Sequence, residues 1–257
     1  FEVKLTKARE KQYLFFPKWT ISEEELLELN TVEDFNLTVP KDTEITFGGV
    51  KVTDKYLNND EKDDYTVTYT LPQVLTTSTN IDYKLPGGLE VEQVVNPSSY
   101  NTGYSLNLST SDISEEDQKK LTDKITETTN AMMKGIVENK TFNDIKSNFA
   151  NDTDSEYYKE LEDEYADYRD DVQDDNYVSL SNFNVDEVEI SSIGFTRNYE
   201  LSVFVRLSYS WTETDKDSGE TTEEDDYSYH TFYLVPEDDE YKIVGISSFP
   251  ATISWYW

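Results

Sequence analysis

The sequence predicts an α+β protein, with a mostly-β N-terminal part followed by a part in which helices precede an antiparallel meander. Three observations predict it. Short alternating apolar runs, punctuated by glycine and proline turns, fill the chain up to about Leu108. Stretches at helical spacing follow between Ser114 and Asp171. Alternation then returns and is sustained from Leu201 to Trp211. A chain of 257 residues can bury a substantial core, and 19 Tyr and 12 Phe supply large side chains to fill it.

In the N-terminal part, Phe1, Val3 and Leu5 alternate, and the run around Tyr13 to Ile21 is interrupted by Pro17, which suits an edge or a bend. "SEEELLEL" reads as a short helix with Ser22 as N-cap and Glu25 three residues on. Phe35, Leu37 and Val39 form a strand. Ile45 and Phe47 lead into Gly48-Gly49 and Val50 and Val52 lead out, a tight hairpin. After the polar "LNNDEKDD" come strands at Tyr65, Val67 and Tyr69, at Ile81, Tyr83 and Leu85, and, past Pro86-Gly87-Gly88, at Leu89 and Val91. "NPSSYNTG" reads as turns.

The character changes after Leu108. Ser114 is placed to cap a helix with Asp117 at its third position, and Leu121, Ile125, Met132 and Ile136 share one face, with Thr128 or Thr129 in the missing turn. A shorter piece carries Phe142, Ile145 and Phe149. A third helix places Tyr157, Leu161, Tyr165 and Tyr168 on one side and carboxylates on the other. Strands follow at Val185 to Ile190, Leu201 to Trp211, Tyr227 to Val235 and Tyr241 to Ile246, with "TETDKDSGETTEEDD" expected as an acidic loop. The domain division is therefore 1–110 and 111–257. Charge shifts at the same place: residues 1–110 carry 10 basic and 18 acidic side chains, residues 111–257 carry 12 and 36.

The whole chain holds 22 Lys plus Arg against 54 Asp plus Glu, a net charge of −32. Nucleic acid is excluded as a partner, because phosphate contacts need clustered cations, and anionic lipid is a poor partner for most of the surface. Residues 1–20 are the exception, with Lys4, Lys7, Arg9, Lys11 and Lys18 against Glu2 and Glu10. The absence of cysteine removes disulfides, thiolate nucleophiles and sulfur-ligated zinc. No apolar run approaches the roughly 18 residues that span a bilayer. The chain opens on Phe1 and not on methionine, as a processed protein would, and residues before Phe1 could include an anchor.

Few constellations carry chemistry. The single histidine, His230, lies mid-strand on the face of Ser228, Phe232 and Leu234, opposite Tyr227, Tyr229 and Tyr233, which reads as a packed or surface structural residue. Among 54 acidic residues a carboxylate pair carries no information about glycosidase chemistry. No phosphate-binding loop or nucleophile elbow is present. Asn151, Asp152 and Asp154, and Asp215, Asp217 and Gly219 with Glu223 or Glu224, offer oxygen ligands for calcium. Neither has the full EF-hand spacing, and both read as solvated loops. No cofactor is expected. Trp255, Tyr256 and Trp257 end the chain and either pack against the fold or form an exposed contact patch.

"KQYLFFPKWTI", "VPKDTEITFGGVKVTDKYL" and "YTLPQVL" together resemble the extracytoplasmic region of TcaA-like membrane proteins of Gram-positive bacteria. The matching positions are Pro40, Ile45, Phe47, Gly48, Gly49, Val50, Val52, Leu71 and Pro72, within residues 11–85. The sequence departs after Leu71-Pro72, where the family tends to show a glycine turn. The order of elements in 111–257 resembles an NTF2-like domain, a curved sheet wrapped around helices. The resemblance implies a zinc ribbon and one membrane helix before Phe1, placement outside the membrane, and an envelope ligand or protein as partner. It supplies no catalytic residue. Non-catalytic binding or sensing is the expected role; an isomerase or dehydratase using the NTF2-like cavity, and a structural spacer, are the alternatives.

Overall fold

A computed structural model describes residues 5–12, 16–21, 30–59, 63–175 and 177–247. The helix expected at "SEEELLEL" and the tail Trp255, Tyr256 and Trp257 lie outside them. The fold is α+β, mostly antiparallel, with few helices.

Strands β1 (Leu5–Gln12) and β2 (Phe16–Ile21) pair with each other, Pro17 lying opposite Lys11. The next seven strands form two sheets. One has the order β6 (Thr66–Leu75), β3 (Thr31–Pro40), β9 (Gly103–Ser105); the other has β5 (Val50–Lys51), β4 (Glu44–Phe47), β7 (Thr79–Lys84), β8 (Glu90–Val95). Phe35, Leu37 and Val39 of the first sheet and Ile45, Ile81 and Tyr83 of the second are buried, and the Phe35 and Phe47 rings meet at 5.9 Å. The glycine hairpin forms as expected. Phe47 pairs with Val50, while Gly48 and Gly49 take φ of 56° and 78°, the left-handed conformations that a two-residue turn needs. One expectation changes: the segment read as turns ends in β9, which pairs in parallel with β3.

Helix α1 (Glu115–Val137) begins as expected, the Ser114 hydroxyl accepting the Asp117 N–H at 3.1 Å. It ends at Asn139, whose φ of 54° lets the Lys140 N–H return to the Gly135 carbonyl at 2.8 Å. Its buried face holds Leu121, Ile125, Met132 and Ile136, and both Thr128 and Thr129 are inside. Helix α2 (Phe142–Ile145) is one turn. Helix α3 (Glu156–Asp174) crosses α1 where Gly135 leaves room for Tyr165, whose hydroxyl donates to the Lys140 carbonyl at 3.0 Å. Tyr158, not singled out from the sequence, joins Leu161 and Tyr165 in the core; Tyr157 instead stacks on Tyr233 at 3.9 Å.

The last four strands, β10 (Val178–Phe195), β11 (Leu201–Asp215), β12 (Thr221–Glu237) and β13 (Glu240–Ile246), form a meander in chain order. Helix α1 packs on β10, where Asn130 accepts the Val185 N–H at 2.9 Å. Strand β10 is far longer than its sequence signal. Three register shifts set its inward residues at Val185, Val188, Ile190, Ile193 and Phe195, so strict alternation is lost while one face stays apolar. The expected acidic loop is also mostly strand, and only residues 216–220 turn. Thr212 faces Glu223, Glu213 faces Thr222 and Thr214 faces Thr221, so no carboxylate stands directly opposite another and β-branched threonines fill the ladder. Buried apolar residues from Val32 to Ile246 make one continuous core.

Candidate functional site

Strand parity places His230 as expected: it is 2% exposed beside Phe232 and Leu234, while Tyr227 and Tyr229 on the opposite face are each 53% exposed. The Ser228 hydroxyl is hydrogen-bonded to His230 Nε2, and Tyr209 is hydrogen-bonded to Ser228 in turn. Tyr209 packs against Phe183 at 5.5 Å and against Trp211 at 5.7 Å. Rings therefore occupy the helix-facing side of the sheet around His230. Burial, with the neighbouring Tyr209 and Asp171, holds the Tyr168 hydroxyl well above the ordinary phenol range, so its neutral form is favoured there.

A concave site opens between the two halves instead. It has a volume of about 550 Å³ and is walled on one side by Pro40 to Asp42, Asp64, Tyr65 and Pro86, and on the other by the start of α3, the β10–β11 turn and the β12–β13 hairpin. Four tyrosines line it, Tyr65, Tyr157, Tyr199 and Tyr241. So do the carboxylates of Asp42, Asp64, Asp152, Asp154, Glu156 and Glu200, with Lys41 as the one cation in the lining.

Local chemistry shapes each wall. Asp63 Oδ1 accepts the Tyr65 and Thr66 N–H groups and starts β6, while the Lys41 ammonium donates to the Asp64 carbonyl at 2.6 Å. On the far side, Thr196 and Glu200 close the β10–β11 turn through a 2.8 Å side-chain bond, leaving Tyr199 at φ 60°. The Asn151 N–H donates to Glu237 at 2.8 Å, and Lys242 pairs with the same carboxylate at 2.7 Å, which ties the start of α3 to the β12–β13 hairpin. Tyr241 forms the floor, with its hydroxyl taking the Gly87 N–H; burial still pushes that hydroxyl far up. Burial also raises the Tyr157 hydroxyl, helped by Tyr233 and Glu200. Among the described residues, Asp42, Asp152, Asp154 and Glu156 direct no side-chain oxygen to an ion pair or a hydrogen bond, so their charge faces the cleft and solvent uncancelled.

Of the residues singled out in the sequence, Asp152 and Asp154 come into the cleft, and Asn151 does not point a ligand there. Asp215 is engaged in its own turn, accepting from the Asp217 and Ser218 N–H groups at 3.0 and 2.6 Å. Among the described residues no three His, Asp or Glu side chains converge as a metal site. Glu164 is held above the ordinary carboxylate range by burial and by Glu160, about two helical turns along α3 from Glu156. Sequence reasoning missed the cleft because six separate segments build it, and only the Asp152/Asp154 pair left a local mark.

Fold and cleft together define the class: an α+β protein with an acidic, tyrosine-lined groove between two β-rich halves. No protein-family model matches the chain, and no curated protein matches it. Among solved structures, the intermembrane space region of chloroplast protein ARC6 is similar over 47% of this chain and 97% of that one, at 12% identity and a TM-score of 0.28. That likeness is too weak to define a fold or a role.

Proposed function

We propose that this chain is a non-catalytic binding or sensing region of a membrane-tethered bacterial envelope protein, placed outside the membrane, and that the cleft between its halves receives the ligand. The observation that carries the reading is the lining of the cleft. Uncancelled carboxylates beside tyrosine faces favour a ligand bearing an ammonium or guanidinium group, attracted by charge and by the ring quadrupoles. Clefts between two packed units are preferred ligand sites, and this volume falls in the usual range. The 111–257 half is read as NTF2-like, from three helices preceding a four-stranded antiparallel meander. Support for the non-catalytic reading comes from Phe183, Tyr209 and Trp211 occupying the side of the sheet where an isomerase or dehydratase of that fold would hold substrate. No described helix is long and apolar enough to cross a membrane.

Calorimetric titration with spermidine, lysine amide and oligolysine tests the cleft, with acetylated oligolysine as the uncharged control. Binding should weaken with salt and fall in an Asp152→Asn/Asp154→Asn variant and in Tyr157→Ala. No binding by any cationic probe, or binding indifferent to these variants, would overturn the assignment. Fractionation of the full-length product tests its placement, and a soluble cytosolic protein would sink that part.

A further inference from the structure

The face of the meander opposite His230, Phe232 and Leu234 carries a second surface away from its β13 end, where Tyr157 of α3 stacks on Tyr233. Strand register sets its rows across β10, β11 and β12: Ser192, Phe204 and Thr231; Glu189, Arg206 and Tyr229; Glu187, Ser208 and Tyr227. Further rows follow toward the hairpin tip, Asn184, Ser210 and Asp225, then Ser181, Thr212 and Glu223, then Ser179, Thr214 and Thr221. At two residues per row the strip is roughly 35 Å long. Phe204 is 37% exposed, in addition to the half-exposed Tyr227 and Tyr229. Phe204 lies 5.9 Å from Tyr229 with the rings nearly parallel, and Tyr229 meets Tyr227 edge-on at 6.1 Å. Three adjoining rings left half in water on a polar sheet face mark a contact surface.

We propose that this face binds a neutral polysaccharide strand. The rings offer flat apolar surfaces to the C–H faces of sugars, and Ser192 and Thr231 beside Phe204, Ser208 beside Tyr227 and Ser181 further along offer hydroxyls to sugar hydroxyls. The charges select against other polymers. Arg206 is the only cation in these rows, and it is already engaged, its guanidinium 4.4 Å from the Tyr227 ring centroid and 3.3 Å from Glu189. Four carboxylates stand in these rows and Asp186 bonds the Asn184 and Ser210 side chains among them, so nucleic acid, anionic lipid and phosphate-rich polymers are repelled. A basic peptide would draw on the carboxylates, of which Glu189 is spent on Arg206 and Asp186 on Asn184 and Ser210, whereas among the described residues the Phe204 and Tyr229 rings and the Ser192 and Ser208 hydroxyls are engaged in no such bond.

The test uses the whole chain in titrations with chitohexaose, cellohexaose and oligolysine, and in depletion assays on insoluble chitin and cellulose. We expect binding to one of the glycans that is insensitive to salt and weakened about tenfold or more by Tyr229→Ala and by Phe204→Ala. Both sites are exposed, and circular dichroism and a thermal melt confirm that the variants fold. The cleft variant Asp152→Asn/Asp154→Asn should leave glycan binding unchanged, which separates failure here from failure of the cleft assignment. No binding to any glycan overturns the proposal. So does glycan binding that persists in both ring variants, and so does salt-sensitive binding of oligolysine alone that is lost on Glu189→Gln.

Discussion

The Tyr241 ring lies directly across Gly87, joining the β12–β13 hairpin of one half to the β7–β8 turn of the other. A Cβ at position 87 would overlap the ring atoms, and the Gly87 N–H also bonds the Tyr241 hydroxyl. Only a residue without a side chain lets the two halves meet this closely. Because Tyr241 is also the floor of the cleft, this one contact sets the separation of its walls.

Gly87→Ala should therefore destabilise the protein by about 1–3 kcal/mol, as overpacking does, and reduce cleft binding at the same time. Gly194→Ala is the matched control. Nothing lies within 4 Å of a Cβ there and its φ is ordinary, so its urea midpoint should stay within about 0.5 kcal/mol of wild type. Equal loss at both positions would contradict the role given to the Gly87–Tyr241 contact.

Helix α1 depends on its first turn. Ser114 accepts the Asp117 N–H and donates to the Asp117 carboxylate, both at 3.1 Å. Ser114→Ala should cost about 1 kcal/mol in urea unfolding, and Ser114→Asp, which keeps an acceptor at the cap, should recover part of it.

Alkaline pH should weaken the fold through Tyr165. Burial raises its hydroxyl to about 12 from 10.0. The folded form favours the protonated phenol, so this contribution is complete below about pH 10 and is lost as pH rises from there toward about 12. Urea midpoints measured across that window should fall less steeply in Tyr165→Phe than in wild type. An identical slope would show that Tyr165 ionises as readily in the folded as in the unfolded chain.

Acid should act through Glu237, whose carboxyl is held below its ordinary range first by Lys242 and then by the Asn151 N–H. A depressed folded value contributes stability that is present above the unfolded value near 4.5 and is lost as pH falls through the folded one. The pair is partly exposed, so the effect is small and screened by salt. Stability measured from pH 6 down to pH 3 should decline less in Glu237→Gln, and added salt should narrow the difference.

Much of the architecture was legible because its causes are local. Gly48-Gly49 between apolar pairs specifies a two-residue hairpin whatever surrounds it, since only positive φ closes that turn. Ser114 and the spacing of Leu121, Ile125, Met132 and Ile136 specify α1 through capping and one apolar stripe. The face assigned to His230 follows from strand period alone. Where alternation is interrupted, the reading fell short. The bulges of β10 shift its inward residues to spacings of two and three, which hides a long strand, and the charges of residues 212–226 mask a ladder whose register keeps carboxylates apart.

The sequence by itself determined the α+β class, the caps and turns, and the acidity that turns polyanions away, because each rests on neighbours along the chain or on composition. Tertiary structure alone decided the two surfaces that carry the functional readings. The cleft joins Lys41, Asp64, Asp152, Tyr199 and Tyr241 from segments far apart in the chain, and the outer strip exists only once β10, β11 and β12 pair in one register. Such juxtapositions come from packing and cross-strand pairing, which leave no periodic mark on any single stretch of sequence.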